Sequence, residues 1–386
     1  MKSHITRDLK IQVKIIAIFI SAILPYFSSQ AQKPLNIKFR SRGLLDASIS
    51  GYDNNETKSY FSLEDFRIGF KASYRKDEIK VDIGIDESKL KIKDFIYNRH
   101  FKKSILSIGN MYEPFSMDML ISTADLRFHQ SATSVQAFTN SRRFGSTYHI
   151  YDNSYYFATG VFTNNDINNL KSNTDGTFIL TSRGIWRKQY KPYKSFLHLG
   201  GAFSLRSKLN NRKNPYCVEQ ESNGVTSLFD KPLLYTELTD TRYEFKAMAE
   251  LLYTSERFML QSEYFIKLTR RNNGVPNYIS HGGYIQGSIL LIGKGFDYDS
   301  QYAIPEGPKG SKSMELAIRA NYTNMNHRKA EMYGGEETDL SIGINYYFNK
   351  YFGIKLNCNY VHSGKHCNDF YKKDFIIPQA RVQYIF

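Results

Sequence analysis

Phe66-Arg67-Ile68-Gly69-Phe70-Lys71-Ala72-Ser73-Tyr74-Arg75 alternates strictly, with Phe, Ile, Phe, Ala and Tyr on one side and Arg, Gly, Lys, Ser and Arg on the other. Period two is the mark of a strand whose two faces meet different solvents. The pattern returns after a short polar turn in Ile79–Ile85, and again in Leu197–Leu205 and Leu340–Phe348. The final stretch, Arg381-Val382-Gln383-Tyr384-Ile385-Phe386, obeys the same rule, so the sequence ends on a strand and an aromatic ring.

About sixteen such runs can be marked, near 35–50, 62–75, 79–86, 90–97, 104–111, 143–152, 154–163, 177–188, 195–206, 241–253, 257–269, 281–293, 313–323, 338–348, 352–362 and 374–386. Their connectors alternate in length. Tight turns fall at Arg75–Glu78, Phe101–Ser104, Asp152–Ser154, Lys191–Ser195, Thr254–Arg257 and Asn349–Tyr351, with longer links between them at Tyr112–Ser141, Ser207–Asp240 and Asn324–Thr338. Short turns at one rim and long loops at the other characterise outer-membrane barrels, whose tilted strands need about 9–11 residues to span. A soluble sandwich also alternates but rarely needs strands this long with such loop asymmetry. The expected fold is therefore all-β, a transmembrane antiparallel barrel of about 16 strands. Lys294–Lys312 is long where the rule asks for a short turn.

The beginning of the sequence gives an address. Lys2, Arg7, Lys10 and Lys14 precede the apolar run Ile15–Phe27, followed by Ser29-Gln30-Ala31. That is the layout of a cleaved secretory signal peptide over residues 1–31, since the run is short of the roughly 20 residues of a spanning helix. The barrel is then residues 32–386. Removing 1–31 takes away four Lys/Arg and one Asp, which lowers the formal charge from +15 to +12. Tyr 29 and Phe 27 against one Trp suit interfacial girdles. Three cysteines, Cys217, Cys358 and Cys367, form no disulfide framework, although Cys217 and Cys367, both in expected external loops, could bridge.

Sixteen strands enclose an aqueous lumen, so the inward residues should decide what the barrel does. Alternation puts Arg67, Lys71, Arg75, Lys91, Lys93, Arg183 and Arg319 inward, with Lys80, Arg206, Lys246, Lys355 and Arg381, against fewer acids: Asp82, Glu244, Glu250, Glu263 and Glu315. A basic lumen concentrates anions. Alternatively, these cations pair with the acids and only keep the wall wet.

Several stretches together resemble the phosphate-selective porin O and P family: Gly109-Asn110-Met111-Tyr112-Glu113-Pro114-Phe115-Ser116, then Asp125-Leu126-Arg127-Phe128, then Ser141-Arg142-Arg143-Phe144-Gly145. Weaker matches, including Phe66–Lys71, Gly283–Ser288 and Met314–Arg319, follow in the family's order. The resemblance implies a homotrimeric porin of the bacterial outer membrane whose third external loop, here residues 112–141, folds into the lumen. It adds Arg127 and Arg142 to the anion-attracting residues, together with Arg143, which alternation also places inward. The loop also carries His129, Glu113, Asp118 and Asp125 and no lysine cluster, a departure from the family's phosphate-contacting lysines. The terminal Phe386 resembles the signal by which barrels reach their assembly machinery.

No nucleophile elbow, Gly-rich phosphate loop or metalloprotease motif occurs, so no enzyme activity and no cofactor are expected, and no metal or nucleic acid. His362, His366 and Cys367 are close in sequence but fall where surface loops collect such residues by chance. The sequence thus reads as a passive channel for small anions such as phosphate, embedded in outer-membrane lipid. The alternatives are a general porin of weak selectivity and a structural or partner-docking barrel with a plugged lumen.

Overall fold

The computed structural model describes residues 35–386 apart from 52–56, 87–88, 173–175, 191–194, 209–215, 369–372 and residues 228, 230, 273 and 311. The expected signal peptide, residues 1–31, lies outside the described residues. The strands in chain order are β1 (Asn36–Gly51), β2 (Thr57–Tyr74), β3 (Asp77–Asp86), β4 (Lys89–His100), β5 (Ser104–Met111), β6 (Arg143–Tyr151), β7 (Tyr155–Thr163), β8 (Thr177–Tyr190), β9 (Ser195–Lys208), β10 (Tyr216–Ser222), β11 (Leu234–Thr254), β12 (Phe258–Arg271), β13 (Tyr278–Ile292), β14 (Phe296–Asp299), β15 (Ile304–Pro308), β16 (Ser313–His327), β17 (Met332–Tyr347), β18 (Phe352–Ser363) and β19 (Asp374–Ile385).

Sixteen of these form one antiparallel wall. β1 through β9 pair in sequence, β9 pairs β11, β13 pairs β16, and β19 returns to β1. The closing seam runs from Arg42 opposite Ile385 to Ser48 opposite Gln379. Beyond it, Phe386 exchanges both backbone hydrogen bonds with Ser41. A closed wall leaves no edge strand unpaired, which is what permits strands to cross a bilayer. Every predicted run corresponds to one wall strand.

Three connectors differ from expectation. Asn324–Thr338 is mostly strand: β16 and β17 continue their ladder to His327 opposite Met332, past a bulge at Asn324, so only residues 328–331 turn. Ser207–Asp240 contains β10, which pairs with the upper part of β11 as a hairpin. Its Leu234 and Thr236 approach Gly335 and Gly334 of β17 so closely that a Cβ on either glycine would meet them at 2.7 and 3.0 Å. Lys294–Lys312 carries the small hairpin β14–β15.

The faces divide as the alternation requires, in the reverse sense to a water-soluble core. Leu340, Ile342 and Ile344 are about half exposed. The intervening Ser341 and Asn345, and on β19 Arg381, are fully buried. No described helix is long and apolar enough to cross a membrane, which bears on helices alone. At the short-turn rim aromatic rings pack on one another, Tyr351 stacking on Phe386 at 6.1 Å and Phe348 lying 5.2 Å from Phe352. On the inner side the seam is locked by a bidentate pair, Arg381 Nε and Nη2 donating to the two Asp46 oxygens at 2.6 Å each. Such charge-assisted forks are the strong class of hydrogen bond.

Candidate pore and its lining

The long segment leaves the wall after Met111, two residues beyond Gly109, where β5 needs a glycine. The φ of Gly109 is 144°, and an added Cβ would sit 1.9 Å from the Phe95 carbonyl oxygen, so only glycine fits at this place in the strand. The next motif residues then anchor the segment to polar-face side chains of the wall. Glu113 accepts hydrogen bonds from Thr181 (2.7 Å) and Ser204 (3.1 Å) and pairs with Arg143 at 3.5 Å. Burial works against its charge, yet nearby Lys246 and Arg143 hold the carboxylate below its ordinary range. Ser116 caps the short helix Met117–Leu120, accepting from the Met119 amide at 3.2 Å. The Glu263 carboxylate of β12 receives the Met117 and Asp118 amides at 2.7 and 3.1 Å. A second helix, Thr133–Phe138, puts Val135, Ala137 and Phe138 into an apolar cluster, and Phe138 stacks on Phe265 of β12 at 5.7 Å. Burying a side chain of this size contributes roughly 1.5–3 kcal/mol.

Three arginines complete the anchoring. Arg127 pairs with Glu315 of β16 at 3.3 Å. Its two terminal nitrogens donate to the Asp125 carbonyl (3.0 Å) and the Glu306 carbonyl (2.7 Å), tying the segment to the β14–β15 hairpin. Arg183 of β8 pairs with Glu250 at 2.9 Å and donates to the carbonyls of Tyr302 and Ala303. Arg319 of β16 donates to the Gln130 carbonyl at 2.9 Å and lies 4.6 Å over the Phe128 ring. All three are buried to 2% exposure or less. The connector Lys294–Lys312 is thus long because Arg183 and Arg127 hold its backbone against the polar face. Tyr298 adds hydrogen bonds with His198 and Arg187.

A cavity of about 790 Å³ remains on the other side, between the segment and the arc β1–β4. On that arc Arg42 and Arg67 share one carboxylate, Asp65, the Arg67 contact being 2.7 Å. Lys80 (2.6 Å) and Arg142 (2.5 Å) share Asp94, and Lys71 pairs with Glu78 at 2.8 Å. Arg142 also lies 4.2 Å over the Tyr112 ring. A second cavity of about 450 Å³ is bordered by Arg143, Arg206, Lys246 and Lys267, with Glu244 among them. Met119 and Gln136 border both cavities.

The ten residues singled out by sequence therefore fall into separate groups. Arg67, Lys71 and Arg142 border the larger cavity, and Arg143 the smaller. Arg127, Arg183 and Arg319 border neither; their guanidinium groups are used up on carboxylates and backbone carbonyls, so they bind the chain to itself. Arg75 leaves its strand: it occupies the tight turn with φ 55° and lies over the Tyr74 ring at 5.3 Å. Lys91 and Lys93 flank the bulge opposite Asp82 and Ile83, outside both cavity linings, with the Lys93 stem against Gly84. Inner-face acids are more numerous than the expected set. Asp46, Asp65, Asp94, Glu337 and Asp339 are all buried there, so most inner cations have a carboxylate partner. Burial, with Arg381 and Lys355 nearby, pushes the His129 imidazole well below its ordinary value, so it adds no positive charge.

The bridge open to Cys217 and Cys367 is not formed: Cys217 is exposed, Cys367 is buried, and both are free thiols. His362 is engaged by Asp374 at 2.7 Å and Cys367 donates to the Glu336 carbonyl.

A closed sixteen-strand wall with an apolar outside and a polar inside is the architecture of an outer-membrane porin. The chain matches the family described as phosphate-selective porin O and P over residues 57–386 and belongs to it. Solved structures with the same fold include OmpT, an outer membrane protein of Vibrio cholerae, at 10% identity and a TM-score of 0.59, covering 92% of this chain and 99% of that one. An anion-selective porin from Comamonas acidovorans is similar at 9% identity and 0.59, covering 92% and 100%. The outer membrane channel DcaP of Acinetobacter baumannii follows at 12% identity and 0.53, covering 92% and 99%. No curated protein matches the sequence. Family and fold are those of a channel and point to the bacterial outer membrane.

Proposed function

We propose that the protein is a passive channel for small hydrophilic solutes with a modest preference for anions, phosphate among them, and that residues 112–141 form its constriction. The observation that carries this reading is the shared carboxylates of β1–β4. With Arg142, the wall of the larger cavity sets six cations, Arg40, Arg42, Arg67, Lys71, Lys80 and Arg142, beside four acids, Asp65, Glu78, Asp82 and Asp94, which leaves it with a positive excess. Such an excess raises the local anion concentration without a tight site. The test is the reversal potential of the reconstituted protein across a potassium chloride gradient, where anion preference is expected and cation preference would refute the reading. Block of that current by inorganic phosphate would extend it to phosphate.

One observation favours a plugged barrel instead. Met119 and Gln136 stand between the two cavities. A correctly folded barrel without conductance would establish that alternative. The family supports assembly as a homotrimer and no enzymatic role. One related structure, that of OmpT, was solved as a trimer. Phe386, at the closing seam, is the proposed contact with the assembly machinery, and its deletion should reduce the amount of barrel reaching the membrane while leaving the conductance of assembled molecules unchanged.

A further inference from the structure

The larger cavity has two unlike sides. Its wall side, β1–β4, carries the cation excess just described, with Lys71 about two-fifths exposed toward solvent and Arg40 still more so. Its other side is made by the segment 112–141 and the β14–β15 hairpin, and there the charges facing the cavity are Asp125, Asp299 and Glu306. Among the described residues none of these three carboxylates makes an ion pair; the only cation on the hairpin that does so, Lys309, pairs with Asp297 at 3.3 Å. The three are held together by backbone. The guanidinium of Arg127 grips the carbonyls of both Asp125 and Glu306, and Asp125 Oδ1 lies 3.3 Å from where a Cβ would sit on Gly307. Asp299 is fixed by accepting the Gln301 and Tyr302 amides at 2.8 and 3.2 Å. Unpaired acids therefore face surplus cations across the same water-filled space.

We infer that this passage favours dipolar solutes, molecules carrying an ammonium and a carboxylate at opposite ends, such as amino acids and short peptides. A simple anion is attracted by one side and repelled by the other. A zwitterion can turn its carboxylate toward Arg67 and Lys71 and its ammonium toward Asp125 and Glu306, and gains from both. A neutral solute of the same size gains from neither. This inference rests on the channel reading above and specifies which solutes the channel serves best.

The experiment compares entry of glycylglycine, neutral N-acetylglycinamide and anionic N-acetylglycine into proteoliposomes carrying the full chain, by osmotic swelling. Glycylglycine should enter at least about threefold faster than the neutral compound, the modest gain expected of a focused field inside a pore. In the triple variant Asp125→Asn, Asp299→Asn, Glu306→Gln that ratio should fall to about one while N-acetylglycine enters faster. Equal entry of glycylglycine and N-acetylglycinamide through the native chain overturns the inference, and needs no variant to fold. Reversal potentials from the same preparation separate the two levels. Anion preference with no dipeptide advantage removes the inference alone. Cation preference with the advantage retained removes the anion reading alone, and absence of any conductance removes both.

Discussion

The arc β1–β4 and the arc running from β8 through β16 to β19 both place basic residues on the inner face and use them differently. On β1–β4 the cations border open space beside a smaller number of acids, and Lys71 keeps about two-fifths of its side-chain surface in solvent. On the other arc Arg183, Arg319, Lys355 and Arg381 are buried to 2% or less and bond carbonyl or carboxylate oxygens. The difference is what lies over them. Where residues 112–141 and the β14–β15 hairpin cover the wall, an inward arginine spends its donors on carboxylates and backbone carbonyls; where the wall is bare, water can take them. Charge on an inner face is thus a resource for selectivity only in the uncovered arc.

The largest effect that could break this contrast is on stability. Arg183→Ala leaves Glu250 buried without its ion-pair partner and frees two carbonyls of the hairpin; losing one partner of a buried pair costs about 3–5 kcal/mol. Lys71→Ala, on a solvated pair, should cost no more than about 1 kcal/mol. Urea unfolding of the two variants in detergent micelles checks this, and equal midpoints would mean that both arcs serve alike.

Selectivity should show the opposite ranking. Lys71→Glu or Arg67→Glu replaces a cation on the bare arc and should reduce the anion-to-cation permeability ratio by roughly fivefold, the equivalent of about 1 kcal/mol for a charge near water. Arg319→Gln, which keeps a donor for the Gln130 carbonyl, should leave the ratio unchanged in whatever protein folds. A reversal potential that moved with Arg319 and stayed with Lys71 would reverse the assignment of the two arcs.

The wall was legible because lipid and water impose period two on every strand, and all sixteen runs carry it. The closing seam was legible for the same reason, Arg381 and Gln383 turning inward and Val382 and Tyr384 outward. The site was legible only in part. Alternation tells which face a residue takes and says nothing about what covers that face, so Arg183 and Arg319 read the same as Arg67. Asp65 and Asp94 sit beside bulges, at Leu44/Leu45 and Asp82/Ile83, where the count of two slips. Asp339 shares parity with Ser341 and Gly343, so its inward place was open to the same count. The family motif proved largely structural: Gly109 for close packing of β5 against β4, Glu113 and Phe115 for anchoring, Ser116 for a helix cap. The excess length of Lys294–Lys312 was the one sequence signal for the hairpin.

The smallest expected effect concerns the acids opposite the bare arc, and pH reaches them without a mutation. Burial raises the Glu306 carboxyl above its ordinary value, and Asp299, Asp125 and Asp297 around it push in the same direction. A raised acid takes up its proton first as pH falls, before ordinary carboxylates do. Each proton gained there removes a negative charge from the cavity while the arginines and lysines of β1–β4 stay charged, so anion preference should rise as pH is lowered from neutral. The rise should begin at higher pH than titration of ordinary glutamates would give, and Glu306→Gln should show a higher anion preference at neutral pH with a weaker dependence below it. Reversal potentials measured from neutral to mildly acidic pH on both proteins test this. An unchanged profile in Glu306→Gln would mean that the hairpin carboxylates do not face the permeating ions, and the cavity would then have only its basic side.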